Sequence, residues 1–471
     1  MTLSLPSHIT LRPYQSEAID TWTAAGHRGI LAMATGTGKT ITALAAATQY
    51  LTAPTAGGVL IIIAPYLHLV DQWDEEARAF GFTPVTACGS WEQWYSELQQ
   101  RLMEQALGVS AVEAVITTKA TFAGEKFQEQ IGTLSDRRTL LVADEVHHLG
   151  APDQRTHLPA NVDARLGLSA TPERAYDETG TEKLTRYFGG IVFEYGLDTA
   201  IQAGHLTDYY YIPHFVELTD EEMLEYGAYT SSIANRIERL KASDTDGAEI
   251  FDDPVLTQLL IERARIKGGA VQKFDRLQTI LEQVESHTRS LVYCGDSTVQ
   301  HPEFGPIRQI DAAVKLIGAQ LDIPIHKFTY EESAATRQEL LNGFADEQLQ
   351  MLAAIRCLDE GVDVPAAHTA YLMASSKNPR EFVQRRGRIL RPAPGKTEAV
   401  IHDFVTIPPL DELGMDADSE VIGMEQQLFE GELARIEHFA HSALNRPDAS
   451  LTSFPTSTPS LAEVKQRLAL V

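Results

Sequence analysis

Apolar residues in this chain fall in short unbroken blocks rather than in strict alternation. Gly29 to Met33, Gly58 to Ala64, Ala114 to Thr117, Thr139 to Ala143 and Arg165 to Ser169 are each about one strand long, and helical stretches separate them. The same rhythm returns at Leu291 to Cys294, Met351 to Ile355, Ala370 to Met373 and Ala399 to Phe404. Strands buried on both faces, each followed by a helix, predict parallel sheets covered by helices on both sides. The repetition predicts a duplicated α/β architecture with a cleft between two lobes. Ligands of such sheets gather at the carboxyl ends of the strands.

Between the two series the period changes to that of a helix. Thr219-Asp220-Glu221-Glu222 forms a capping box, and Tyr226, Tyr229, Ile233, Ile237 and Leu240 follow at spacings of three and four. An Asp-rich stretch, Ser243 to Asp253, breaks the pattern. A second helix is expected to begin with Asp253 as its cap and Pro254 at its first position. Arg263, Arg265, Lys267, Lys273 and Arg276 follow and read as a solvated helix face, with contact to a nucleic-acid backbone as the alternative. After Ile407-Pro408-Pro409, one long helix over about Ser419 to Asn445 is expected to pack back on a lobe through Met424, Leu428, Ile436, Phe439 and Ala440. The boundaries that follow are 1–207 for the first lobe, 208–405 for the second with a helical insertion at 219–286, and 406–471 for a helical extension.

Composition narrows the class. A length of 471 residues fits about three domains. Cys88, Cys294 and Cys357 match no zinc spacing and read as free thiols. The N-terminus has neither a basic nor an apolar leader pattern, and no apolar run could cross a bilayer, so a cytoplasmic protein without membrane association is expected. The formal charge of −26 lowers the expected affinity for nucleic acid without excluding it, because local potential decides binding in a cleft. Part of the excess is remote: residues 406–471 hold eleven acidic against four basic side chains. Around Arg385, Arg386, Arg388 and Arg391 the local sign is positive.

Two segments carry chemistry. Ala34-Thr35-Gly36-Thr37-Gly38-Lys39-Thr40 joins an apolar block to an Ala-rich helical stretch. A Gly-rich turn at a helix start cradles phosphate with backbone N–H groups; Lys39 would reach the terminal phosphates and the Thr40 hydroxyl would take Mg²⁺. Met33 stands where the general pattern has its first glycine. About a hundred residues on, a buried block ends in Asp144-Glu145-Val146-His147. Asp144 is placed to hold Mg²⁺ through water and Glu145 to polarise the attacking water. The transition-state charge needs arginine, which Gln384-Arg385-Arg386-Gly387-Arg388-Ile389-Leu390-Arg391 can supply from the second lobe on closure of the cleft. His147-His148 lacks a zinc-protease spacing and is not read as a metal site.

In this order the segments resemble the motifs of superfamily 2 helicases and translocases, over residues 8 to 405. The resemblance implies two tandem RecA-like lobes, ATP and Mg²⁺ as cofactors, and ATP hydrolysis coupled to movement on nucleic acid. It makes Arg12 and Gln15 the adenine-reading element, with Gln15 on the base edge, and Thr35 to Thr40 the phosphate loop. Ser169-Ala170-Thr171 then couples hydrolysis to movement together with His147 and Arg385, with Ser169 and Thr171 as its key hydroxyls. Gly361 and Asp363, in Cys357 to Pro365, fall near the ribose, and Gln384, Arg388 and Arg391 act in catalysis, the two arginines as fingers. Pro65, Thr117, Thr118 and Gly295 would meet the sugar–phosphate backbone, whereas Trp73 reads as a packed core aromatic. The opening Arg12-Pro13-Tyr14-Gln15 and the Asp-Glu-Val-His box are similar to those of xeroderma pigmentosum group B-type translocases and of restriction and phage-defence motors. That similarity favours DNA over RNA and implies that any cutting comes from a partner nuclease. An RNA helicase and an ATP-gated DNA clamp are the alternative readings.

Overall fold

The computed structural model describes residues 3–52, 57–134, 137–174, 177–242, 253–355, 364, 367–374, 379–407 and 432–445. The chain divides into two compact units, Met1–Leu206 and Thr207–Val471.

The first unit is built on a seven-stranded parallel sheet: β1 (Arg28–Met33), β2 (Gly58–Ala64), β3 (Pro84–Ala87), β4 (Val112–Thr118), β5 (Thr139–Ala143), β6 (Ala164–Ser169) and β7 (Ile191–Tyr195). Their order across the sheet is β3-β4-β2-β5-β6-β1-β7. Every residue of β2, β5 and β6 is buried, as a sheet covered on both faces requires. One core joins Ile61, Ile63, Val115, Leu141 and Val146 with Trp94, Phe122, Phe127 and Phe188. The phosphate-loop segment leaves the carboxyl end of β1 and the paired carboxylates leave that of β5, with only β6 between the two strands.

The second unit has a six-stranded parallel sheet in the order β12-β13-β9-β14-β15-β8, made of β8 (Asp208–Glu217), β9 (Ser290–Tyr293), β12 (Ile325–Phe328), β13 (Met351–Ala354), β14 (Thr369–Leu372) and β15 (Glu398–Ile407). A small antiparallel ribbon, β10 (Thr298–His301) with β11 (Gly305–Arg308), stands apart from it. β8 pairs with β15 from Asp208–Glu398 to Glu217–Ile407, a match across nearly two hundred residues of chain that the sequence pattern does not announce.

The helical insertion forms as expected. In the capping box of the helix Asp220–Ala242, Thr219 N–H donates to Glu222 and Glu222 N–H donates to Thr219 Oγ1. Asp253 caps Pro254–Gly269 through Leu256 N–H and also takes both ends of the Arg236 guanidinium. The basic run after it departs from the expected solvated face. Lys273 is buried, donates to the carbonyls of Gly268 and Met373, and is pushed by that burial down to about 7. Lys267 meets Glu432, and Arg276 Nε lies 3.3 Å from His214 Nδ1.

Residues 432–445 close the outer side of β8. Leu444 N–H donates to Tyr209 O, and the Asn445 amide both accepts from Tyr211 N–H and donates to Tyr211 O. Phe439 stacks on Tyr211 with centroids 5.0 Å apart. Arg435 reaches the fully buried Asp403 at 3.2 Å and Glu432 at 2.9 Å. The residues expected to begin this helix, Met424 and Leu428 among them, lie outside the described residues.

Breaking a buried ion pair leaves an uncompensated charge and costs about 3–5 kcal/mol. Arg435→Met is therefore expected to destabilise the second unit by roughly that amount, while Ala434→Ser on the exposed side should stay within about 0.5 kcal/mol. Chemical denaturation curves of the two variants check this.

Candidate active site

The loop from Ala34 to Gly38 is held from inside the protein. Thr37 is buried, and its Oγ1 donates to Ala34 O at 2.7 Å. Tyr14 Oη donates to Thr37 O at 2.7 Å, and the Tyr14 ring stacks on Tyr195 at 4.0 Å. Gly36 and Gly38 take φ values of 86° and 80°, in the left-handed region where side chains are disfavoured. A Cβ on Gly38 would also come within 2.7 Å of Gln15 Nε2. Gln15 is itself buried: its Oε1 accepts Arg12 N–H at 2.9 Å, and its Nε2 lies 3.3–3.4 Å from the carbonyls of Thr37 and Gly38. Both ends of the amide thus also bind the protein's own backbone around the loop.

Lys39 and Thr40 open the helix Lys39–Thr52, so the helix dipole points at the loop. Lys39 Nζ rests 3.3 Å from Met33 O. Thr35 Oγ1 is buried with no protein hydrogen-bond partner. A glycine cradle, an ammonium and a hydroxyl lacking a partner fit a phosphate group.

Asp144 follows β5 directly, and its N–H donates to Ile63 O on β2 at 2.9 Å. Each of its carboxylate oxygens has a fixed donor: Trp73 Nε1 on Oδ2 at 3.0 Å and Glu145 N–H on Oδ1 at 2.9 Å. Burial pushes its carboxyl above the usual range, while the Trp73 indole and the Lys39 charge pull it back toward ionisation. Glu145 has φ 42° and ψ 55°, a backbone strained by about 1–3 kcal/mol for a residue with a side chain. From there its Oε2 accepts Ser169 Oγ–H at 3.2 Å. Ser169 Oγ in turn accepts Thr171 N–H and lies 3.1 Å from His147 Nδ1, so His147, Ser169 and Glu145 form one buried triangle. Arg174 donates to His147 O and pairs with Asp177, which holds the histidine's backbone.

Among the described residues no three His, Cys, Asp or Glu side chains are placed to hold a metal ion by themselves. That suits Mg²⁺, which takes one or two protein oxygens and completes its shell with phosphates and water. Asp144 and Thr40 are the oxygens available for it.

In the second unit the helix Pro379–Ile389 carries Gln384, Arg385, Arg386 and Arg388, all four buried. Arg385 donates to Ala374 O, and its guanidinium lies 5.0 Å over Tyr293. Arg386 binds Tyr209 Oη, His438 O and His438 Nε2, and so ties this helix to residues 432–445. Lys396 closes the end of the helix on the carbonyls of Ile389 and Arg391. Gly361 and Asp363 lie outside the described residues.

Of the expected nucleic-acid contacts, Pro65 and Thr117 are buried, and Thr117 Oγ1 donates to Ala87 O. Gly295 N–H donates to Gln309 Oε1. Thr118 is only partly buried and caps a short helix through Thr121 N–H. The exposed positions at this rim are their neighbours Leu67 and His68, with Lys119 Nζ 5.1 Å over the Tyr66 ring. Trp73 packs in the core as expected, but its hydrogen bond to Asp144 has no sequence signal, because 71 residues separate the two.

Residues 8–174 match the family described as type III restriction enzyme, res subunit, and residues 272–393 match the helicase conserved C-terminal domain. The chain is 27% identical over 418 residues to the DNA 3'-5' translocase XPB2 of Sulfurisphaera tokodaii, covering 84% of this chain and 82% of that protein. It is 26% identical to the putative DNA 3'-5' helicase Rad25 of Haloarcula marismortui, of which it spans about half (52%), with 83% of this chain aligned. Among solved structures, a type ISP restriction-modification enzyme, LlaBIII bound to DNA, superposes with a TM-score of 0.57 at 17% identity, over 85% of this chain and 28% of that one. The Hef helicase domain of Pyrococcus furiosus gives 0.50 at 18% identity, over 85% and 97%. These likenesses establish tandem RecA-like lobes as the fold.

Gly26 and Gly38 separate backbone strain from site chemistry. Both have positive φ, but only Gly38 faces a neighbour. Gly26→Ala is expected to cost stability alone, about 1–2 kcal/mol. Gly38→Ala should in addition displace Gln15 and weaken nucleotide binding, as a fluorescent-nucleotide titration would show.

Proposed function

We propose, for a chain that belongs to the superfamily 2 helicases and translocases, that it hydrolyses ATP at the site on its first unit and uses the energy to move along DNA. The observation that carries this reading is the Glu145–Ser169–His147 triangle beside the phosphate loop. In it a carboxylate suited to orient water is in direct contact with Ser169 at the end of β6, whose hydroxyl also accepts Thr171 N–H from the turn beyond.

Lys39 would neutralise the terminal phosphates, while the loop's backbone N–H groups and the helix start hold the rest. Thr40 and Asp144 would hold Mg²⁺, which when bound would offset the negative charge of the phosphates as it develops in the transition state. Glu145 would accept the hydrogen bond of the attacking water, kept in place by the Ser169 hydroxyl. Ser169 and Thr171 share one hydrogen-bonded turn, so a shift of that turn changes where Glu145 points. The arginine fingers are assigned to Arg388 and Arg391. Gln15 acts on the nucleotide through the loop it grips, and Gly361 and Asp363 are assigned to the ribose by their motif.

DNA as the track is supported by the relatives' names, DNA translocase and DNA helicase. A nuclease carried by another chain is proposed as a partner, in keeping with the match to a restriction-enzyme family. Among the described residues no helix is long and apolar enough to cross a membrane.

The test is steady-state ATP turnover without nucleic acid and with single-stranded DNA, duplex DNA or matched RNA, with Lys39→Ala as blank. Stimulation by DNA is expected; stimulation by RNA alone would replace DNA as the track. Lys39→Ala should abolish turnover, and full activity in that variant would sink the site. Arg388→Ala should leave ATP binding intact and cut hydrolysis by on the order of 10³-fold or more. Loss of binding in its place would remove the finger assignment.

A further inference from the structure

The helix Leu67–Ala79 does two things at once. It starts directly after β2, with Leu67 and His68 exposed at the rim and Tyr66 beneath Lys119. Two turns in, Trp73 points the other way, is 1% exposed, and places its indole N–H 3.0 Å from Asp144 Oδ2. Asp144 is also tied to the same stretch of chain through its backbone, since its N–H donates to Ile63 on β2. Both the main chain and the side chain of Asp144 therefore take their position from β2 and the helix that follows it.

The chemistry of the contact is specific. An indole nitrogen is a donor only, so it has no tautomer or flip that would let it serve a different partner. Glu145 N–H fixes the other oxygen of the carboxylate. With one donor on each oxygen the carboxylate plane cannot rotate freely. Partners of this kind, one step out from the metal, commonly govern metal affinity.

We propose that Trp73 is a positioning residue that orients Asp144 for Mg²⁺, so that metal affinity at the site depends on the placement of the helix Leu67–Ala79. This rests on the ATPase reading above. It adds that the helix whose first residues form the exposed rim also sets the metal carboxylate, which gives an event at the rim a direct route to the metal.

Trp73→Phe keeps the ring and removes the N–H. Mn²⁺ binding in the presence of ADP, followed by electron paramagnetic resonance, should weaken about tenfold or more, while ADP affinity without metal stays at the wild-type value. Turnover should show the same defect as a raised Mg²⁺ requirement with little change in KM for ATP. Unchanged Mn²⁺ affinity in a folded Trp73→Phe protein would overturn the inference while leaving the ATPase reading in place. In the wild-type protein, which does not depend on the variant folding, the Trp73 indole ¹H–¹⁵N resonance should move when Mg²⁺ is added to the ADP complex. A resonance indifferent to Mg²⁺ would overturn the inference too. Absence of any metal-linked nucleotide binding in the wild type would instead remove the ATPase reading on which this one stands.

Discussion

Two carboxylates in adjacent positions at the end of one buried strand must both stay useful, and the first unit is arranged around that constraint. Asp144 and Glu145 cannot be held apart by distance along the chain. They are held apart by direction: the left-handed turn at Glu145 sends its carboxylate to Ser169, while Asp144 turns to Trp73. Each then has its own donors, and like charges that close would otherwise suppress ionisation of one partner. The strain at Glu145 persists because β5, β6 and the turn after β6 together fix the residues on either side of it.

Both parts of the site are held by the protein itself. The phosphate loop is fastened from behind by Tyr14, Gln15 and Thr37. Glu145 meets the Ser169 hydroxyl, which also accepts from Thr171 N–H, and lies 3.4 Å from His147 Nδ1. Fixed donors aimed at the phosphates avoid reorganisation at the moment of reaction.

Much of this could be read from contiguous residues. The strand blocks of β1, β2, β4, β5 and β6, the phosphate loop, the capping box at Thr219 and the cap at Asp253 are local patterns with local causes. What could not be read depends on tertiary neighbours. Trp73 looks like any buried aromatic until the fold sets it against Asp144. Lys273 looks like part of a basic, solvated stretch, yet backbone carbonyls draw it inward, and Arg386, in the arginine motif, is held by a tyrosine and a histidine that no local pattern announces. Pro65 and Thr117 sit in motif positions associated with nucleic acid, but strand ends are buried, and the chain emerges a residue or two later, at Thr118 and at Leu67 and His68. A motif thus locates a rim to within a residue or two without saying which side chain faces out.

The residues beyond the last strand have a role that concerns the protein before it ever meets ATP. β8 is an edge strand of ten residues rich in tyrosine and other β-formers, the kind of edge that invites pairing with another chain. Leu444 and Asn445 occupy its outward carbonyl and amide groups at Tyr209 and Tyr211, and Phe439 covers the Tyr211 ring. The segment 432–445 is thus a built-in stopper against strand addition. A chain cut short before it would expose a template for self-association, and its first failure would be loss of solubility during synthesis rather than loss of catalysis.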